Sequence, residues 1–495
     1  MFTAFGIITL IFQYSFILLV MIKMPRKTMH CLFGIITYGN RSFVLLFTTM
    51  MLLSGMMILS GAVSSSNSIP DTQSYSSSSS SFFSNSATSF NTLLSQSGAI
   101  KKTAEDNKSS NSFTITNSLK EEIKSHLDNG SNAAIVLGLV DPNGTQFFGY
   151  GNISTAKQTT VDKNTVFGIG SITKSFTTLL LADMANRGIV NLNDPIKRYL
   201  PTTVKVPTYN NNGRQITLED LATHTSGLPH DPPNMPLNGP GFQKYTLEQM
   251  YQALSSIRLS NVPGSKYHYS NFGMALLGNI LSSKARMPYE QLVINRILNV
   301  LGMNSTRFSV SDTLKSRLAI GHRNGLELPT IENPLPYVPA GGLYSTASDM
   351  VKYLAANMGL TKTTITTKSN NNNNLSTAMQ ISHQQRYNTN LTGFRGHSRI
   401  YIGLAWFTTI VTTPTTTDML GTVGGLDTTA ANNNNIIIWD NGQFNGYNSF
   451  IGFNPHKHRG VVILCSGVQR NLRVSQIGFG PYDDLSDLIW NLLNK

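Results

Sequence analysis

Two uncharged, largely apolar runs open the chain, Phe2 to Ile22 and Ser42 to Pro70, with Lys23, Arg26, Lys27 and Arg41 between them. Each run has enough apolar residues to span a bilayer. As two transmembrane helices they would leave the basic loop cytosolic and both termini outside the cytosol. If synthesis starts at Met24, Met24-Pro25-Arg26-Lys27 instead opens a signal peptide or anchor that ends near Ser60-Gly61-Ala62. Either reading makes residues 1–63 a membrane or signal segment and puts the remainder outside the cytosol. Ser64 to Ser97 is serine-rich and Lys101 to Ser112 is polar, so residues 64–111 are expected to form a disordered stalk.

From residue 112 the pattern becomes that of a folded domain running to 495. Helical spacing covers Thr114 to Leu127, and strand-like runs follow at Ala133 to Val140 and Thr145 to Tyr150. Phe176, Leu179, Leu180 and Met184 then recur at helical spacing as far as Gly188, a residue that stops helices. A mostly helical middle extends from Leu192 to about Met358. Closing strands are expected at Leu404 to Thr408 and within Ile436 to Gly467, and a last helix at Tyr482 to Leu493. Thr- and Asn-rich tracts at 361–374 and 412–435 show no core-forming pattern and read as surface insertions. Strands at both ends of a helical middle predict an α+β fold: an antiparallel sheet flanked by terminal helices, with an inserted, mainly helical subdomain.

Composition narrows the function. The formal net charge is +13, but Lys and Arg are scattered and the densest run is His456 to Arg459. Nucleic acid is therefore not an expected partner. The two cysteines, Cys31 and Cys465, are far apart and supply no disulfide framework, and the histidines lack zinc-ligand spacing. No metal and no cofactor is expected.

The candidate chemistry lies at Ser171-Ile172-Thr173-Lys174, delivered by Val166-Phe167-Gly168-Ile169-Gly170 to the start of an apolar helix. A lysine three residues after a serine lies one turn away on the same helix face, so its amine can take the hydroxyl proton. The helix N-terminus adds positive field there. Ser154-Thr155-Ala156-Lys157 has the same spacing but sits in a polar loop with no helical pattern. About a hundred residues beyond Ser171 comes Tyr269-Ser270-Asn271, ahead of the apolar run Phe272 to Leu277. At such a junction tyrosine and asparagine face one cleft, and a phenolate serves as base where neighbouring cations lower its pKa. Tyr209-Asn210-Asn211 repeats the spacing inside a loop. A third segment, Trp439-Asp440-Asn441-Gly442-Gln443, lies in a strand–turn–strand pattern.

These three motifs, in this order, resemble those of the serine β-lactamase and D-Ala-D-Ala peptidase superfamily. The class C β-lactamase-like branch, which also holds esterases and D-amino peptidases, is the nearest likeness. Leu218 to Pro229, with His224-Thr225-Ser226-Gly227, and Pro339 to Met350 also resemble family segments. His224 reads as structural, and Thr346 with Asp349 as a helix cap. The likeness implies Ser171 as nucleophile, Lys174 and Tyr269 as proton carriers, and Asn271, Asp440, Gly442 and Gln443 as substrate contacts. It places the oxyanion hole at the backbone amides of Ser171 and Gln443.

The third motif departs from the family, whose Lys or His is Asp440 here. A carboxylate repels an acidic substrate and raises a nearby tyrosine's pKa. Unit charges about 4 Å apart interact by about 4 kcal/mol at an effective dielectric near 20, so the reversal of sign is large. The expected function is a serine hydrolase that opens a small or peptide-like ester or amide through an acyl-enzyme, with β-lactamase activity disfavoured. The alternative is a catalytically silent membrane protein that keeps the cleft to bind a peptide-like ligand.

Overall fold

The computed structural model describes residues 113–127, 134–211, 213–236, 240–360, 370–392, 398–411, 436–468 and 484–494. The N-terminal apolar runs, the stalk and the 412–435 tract lie outside the described residues. Chain order begins with helix α1 (Asn117–Leu127), strands β1 (Ile135–Asp141) and β2 (Gly144–Tyr150), short β3 (Val166–Gly168) and helix α2 (Thr173–Asn186). The middle holds α3 (Leu247–Ser256), α4 (Asn271–Ala285), the two-residue strands β4 (His322–Arg323) and β5 (Leu326–Glu327), β6 (Tyr344–Thr346) and α5 (Ala347–Asn357). Then come α6 (Asn370–His383), β7 (Tyr387–Thr392), β8 (Ser398–Ile402), β9 (Phe407–Val411), β10 (Ile436–Phe444), β11 (Tyr447–Asn454), β12 (Arg459–Cys465), β13 (Gly467–Val468) and α7 (Asp484–Asn494). Shorter helical turns are named by residue.

Eight strands form one sheet in the order β2-β1-β12-β11-β10-β9-β8-β7, every pair antiparallel. Both faces are covered, so the central strands alternate between two apolar layers instead of between core and water. Ile135, Leu137 and Leu139 of β1 join Ile437, Trp439, Phe450 and Ile463 in the layer under the terminal helices α1 and α7. Val136, Val140, Ile438, Ile451, Val462 and Leu464 face the other way, toward α2 and α5. The strands before β3 and after α6 thus close one sheet around a mainly helical insertion, the α+β architecture expected.

The local differences have physical causes. Helix α6 begins inside the tract read as structureless. Leu375, Ala378, Met379 and Ser382 are buried at helical spacing, and the helix packs against α2. The expected strand Leu404 to Thr408 starts at Phe407 instead. Leu404, Ala405 and Trp406 are buried in a bend, where Ala405 takes φ 62°, so an apolar run marks burial without extended pairing. Thr346 does cap α5, accepting Asp349 N–H at 3.2 Å. Asp349 Oδ2 instead accepts from Ser305 N and Thr306 Oγ1, tying α5 to the preceding loop.

Candidate active site

Backbone crowding positions Ser171. Gly170 takes φ +51° and leads through a single 3₁₀ turn, Gly170–Ile172, into α2. A Cβ on Gly170 would meet the Gln443 backbone at 2.8 Å, and one on Gly442 would lie 2.0 Å from Ile169 O and 2.9 Å from Ser171 N. Two glycines therefore let the end of β10 lie directly against the serine turn. Beyond Trp439 that strand no longer pairs with β9, so its edge faces the cleft. Ser171 is not a helix cap: the residue is partly exposed and its Oγ is turned toward Lys174 and Tyr269.

Lys174 Nζ lies 2.9 Å from Ser171 Oγ and Tyr269 OH 2.7 Å from it. Lys174 is 2% exposed and also donates to Ala340 O at 2.5 Å, and it sits 4.9 Å from the centre of the Tyr269 ring. Burial pulls its pKa down to about 7, although Asp440 and Asp231 oppose the shift. With Lys174 neutral, its lone pair can accept the Ser171 hydrogen along the same 2.9 Å line.

Tyr269 departs from expectation. Burial pushes its phenol well above the ordinary range; the Ser171 contact lowers it, but Asp440 and Asp231 raise it again. These shifts favour a protonated phenol at Tyr269 and an amine at Lys174 that can be neutral. The cation that would lower the phenol is itself desolvated to near neutrality.

Asp440 shares its strand face with Ile438 and Gly442, the side toward α2. Expected as a substrate contact, it is 4% exposed; Oδ1 accepts Asn441 N–H at 2.8 Å and buried Oδ2 meets no hydrogen-bond partner. Burial raises its pKa well above the carboxylate range against the pull of Lys174. It acts on Lys174 and Tyr269 through its field, from beneath the cleft. Gln443 is exposed beside Ser171. Asn271 opens α4, which Ser270 caps by accepting Gly273 N–H at 2.9 Å.

Two residues around the site, Ala340 and Asp231, had no reading of their own. Ala340, inside a segment read only as a fold marker, supplies the carbonyl that anchors Lys174. His224, 2% exposed at φ 58°, accepts Ser270 N–H on Nδ1 at 3.2 Å, and its ring centre lies 4.4 Å from that of Tyr269. Burial and the neighbouring Lys174 keep it neutral. It is structural, as expected, and what it supports is Tyr269. Asp231 accepts from Asn271 Nδ2 at 3.1 Å, His230 Nδ1 at 2.6 Å and Tyr337 OH. Two residues past the Gly227-Leu228-Pro229 turn, it carries no motif spacing that marks it. The two decoys stay outside: Ser154 Oγ accepts Lys157 N–H at 3.0 Å in an exposed turn, and Tyr209–Asn211 forms one 3₁₀ turn.

A family model described as Beta-lactamase matches residues 119–476. D-alanyl-D-alanine-carboxypeptidase/endopeptidase AmpH of Escherichia coli (strain K12) is 36% identical over 230 residues, 46% of this chain and 58% of AmpH. Beta-lactamase-like protein 4 of Dictyostelium discoideum is 34% identical over 221 residues, 42% of this chain and 38% of that protein. The chain thus spans less than two thirds of the length of these relatives. A class C β-lactamase from Rhodobacter sphaeroides is similar in structure, with TM-score 0.57 and 25% identity over 72% of this chain and 95% of that one. A β-lactamase/D-alanine carboxypeptidase from Pseudomonas syringae shares the fold, with TM-score 0.58 and 23% identity over 76% of this chain and 97% of that one.

Proposed function

The chain belongs to the Beta-lactamase family, and we propose that it is a serine hydrolase that opens an ester or amide through an acyl-enzyme on Ser171. One observation carries the reading: Ser171 Oγ lies 2.9 Å from an amine whose pKa is brought to about 7 and 2.7 Å from a phenol that stays protonated. A base near neutrality and a retained acid are what general acid–base acyl transfer needs. Neutral Lys174 takes the hydroxyl proton as Oγ attacks the carbonyl carbon. Tyr269 gives its proton to the departing oxygen or nitrogen and recovers one from Lys174. Water then repeats the attack on the acyl-enzyme with Lys174 again as base. The Ser171 and Gln443 amides, held together by Gly170 and Gly442, are assigned to the oxyanion.

Asp440 stands where the family resemblance implies a Lys or His, but it is buried beneath the cleft, and Asp231 also raises the Lys174 pKa by its charge. The partly exposed Asp231 favours a neutral or cationic substrate over one ending in a carboxylate near the leaving group. The carboxypeptidase activity in AmpH's name is therefore not carried over. We also place the catalytic domain outside the cytosol, on the N-terminal apolar runs and on acceptor sequons at the exposed Asn143 and Asn304.

A fluorophosphonate probe tests the nucleophile. Ser171→Ala should abolish labelling and Ser154→Ala should leave it intact, while Lys174→Ala should slow it at least about 10²-fold. Labelling that survives Ser171→Ala removes the assignment. A folded protein that never labels Ser171 would be the silent binder instead.

A further inference from the structure

Asn271 has one amide, and its two ends ask for opposite partners. The nitrogen end donates, and the oxygen end accepts. Its Nδ2 lies 3.1 Å from Asp231 Oδ1, an oxygen that also accepts the Tyr337 hydroxyl. An ionised carboxylate has nothing to donate, so the orientation of the Asn271 amide is settled by chemistry: nitrogen to Asp231, carbonyl oxygen away from it. His230 Nδ1, at 2.6 Å from Oδ2, adds a further donor to the same carboxylate. Of roughly four acceptor positions on a carboxylate, three are then taken. The Asp231 side chain remains 24% exposed, and its field reaches both Lys174 and Tyr269. Asp231 is thus a partly exposed carboxylate with acceptor capacity left, and the carbonyl oxygen of Asn271 is the end of its amide that Asp231 does not hold.

We propose that Asp231 and Asn271 together form a subsite for a substrate ammonium or N–H group, so that amine-bearing esters or amides are selected over their uncharged analogues. The inference rests on the serine-hydrolase reading above and narrows its substrate class. Asp231 acts in two ways. It contributes charge, and it holds Asn271 with its acceptor outward. A carboxylate on the substrate would meet the like charge of Asp231. Tyr337 and His230 are positioning residues, because they fix the carboxylate.

The test uses the full-length protein and two paired series of p-nitrophenyl and alkyl esters. In one, the acyl group is alanyl or propionyl; in the other, the alcohol is aminoethyl or propyl. In at least one series the amine-bearing member should have a kcat/KM at least about tenfold higher. That ratio should fall toward one in Asp231→Asn, which removes the charge and frees the Asn271 amide to turn. It should also shrink as ionic strength rises, because the subsite is partly exposed. Ratios within threefold of one in both series of the unaltered protein overturn the inference, whatever the variant does. So does a preference that persists in a folded Asp231→Asn that still labels at Ser171. Neutral esters turned over without amine preference would leave the serine-hydrolase reading standing. Absence of all turnover together with absence of Ser171 labelling would remove both.

Discussion

At the residue scale the site depends on one buried amine. Desolvation brings Lys174 to about 7, and the carboxylates Asp440 and Asp231 hold it from falling further. The base works unprotonated, so kcat/KM should rise with pH through about 7. Removing a negative charge that stabilises the ammonium must lower the lysine's pKa. Asp440→Asn is therefore expected to move this acid limb to lower pH, and one unit would mean about tenfold more of the working form below the limb. A limb that stays in place would show that Asp440 carries no charge over that range and would remove it from the account of Lys174. Residue types and spacing made Ser171, Lys174 and Tyr269 legible in the sequence. Their protonation states were not legible, since burial sets them: it raises the Tyr269 phenol and lowers the Lys174 amine.

At the scale of elements, the contact between β10 and the turn before α2 sets the geometry. Gly442→Ala would place a methyl 2.0 Å from Ile169 O, in backbone that cannot yield as a side chain would. The strand must move away, separating the Gln443 amide from Ser171. The expected loss is about 10² to 10³ in kcat, the scale of one oxyanion donor. Melting temperature should fall little, because the Trp439–Phe450 layer lies on the other sheet face. A variant with full kcat would relocate the oxyanion hole. The motifs were legible because each is short and bound to a junction between elements. Asp231 was not, because it meets Asn271 across 40 positions and through no fixed spacing. Helix α6 was hidden by its asparagines: a polar run masks the helical spacing of Leu375, Ala378 and Met379 until α2 supplies the surface they cover.

At the scale of the whole molecule, the question is on which side of a membrane this cleft works. Among the described residues no helix is long and apolar enough to cross a bilayer, and the anchor proposed here is the pair of apolar runs before residue 71. The basic loop between those runs should stay in the cytosol, since cations cost roughly 2.5 to 3.5 kcal/mol each at a bilayer centre. The sequon at Asn40 within that loop should then remain bare. Asn143 and Asn304, beyond the second run, are exposed, Asn143 in the turn between β1 and β2. An acceptor on an exposed turn is open to a transferase. Expression in a secretory host should give a mobility shift that glycosidase removes and that Asn143→Gln with Asn304→Gln reduces. Asn40→Gln should change nothing. A catalytic domain without glycan, reached by protease only after the plasma membrane is permeabilised, would instead put the cleft in the cytosol.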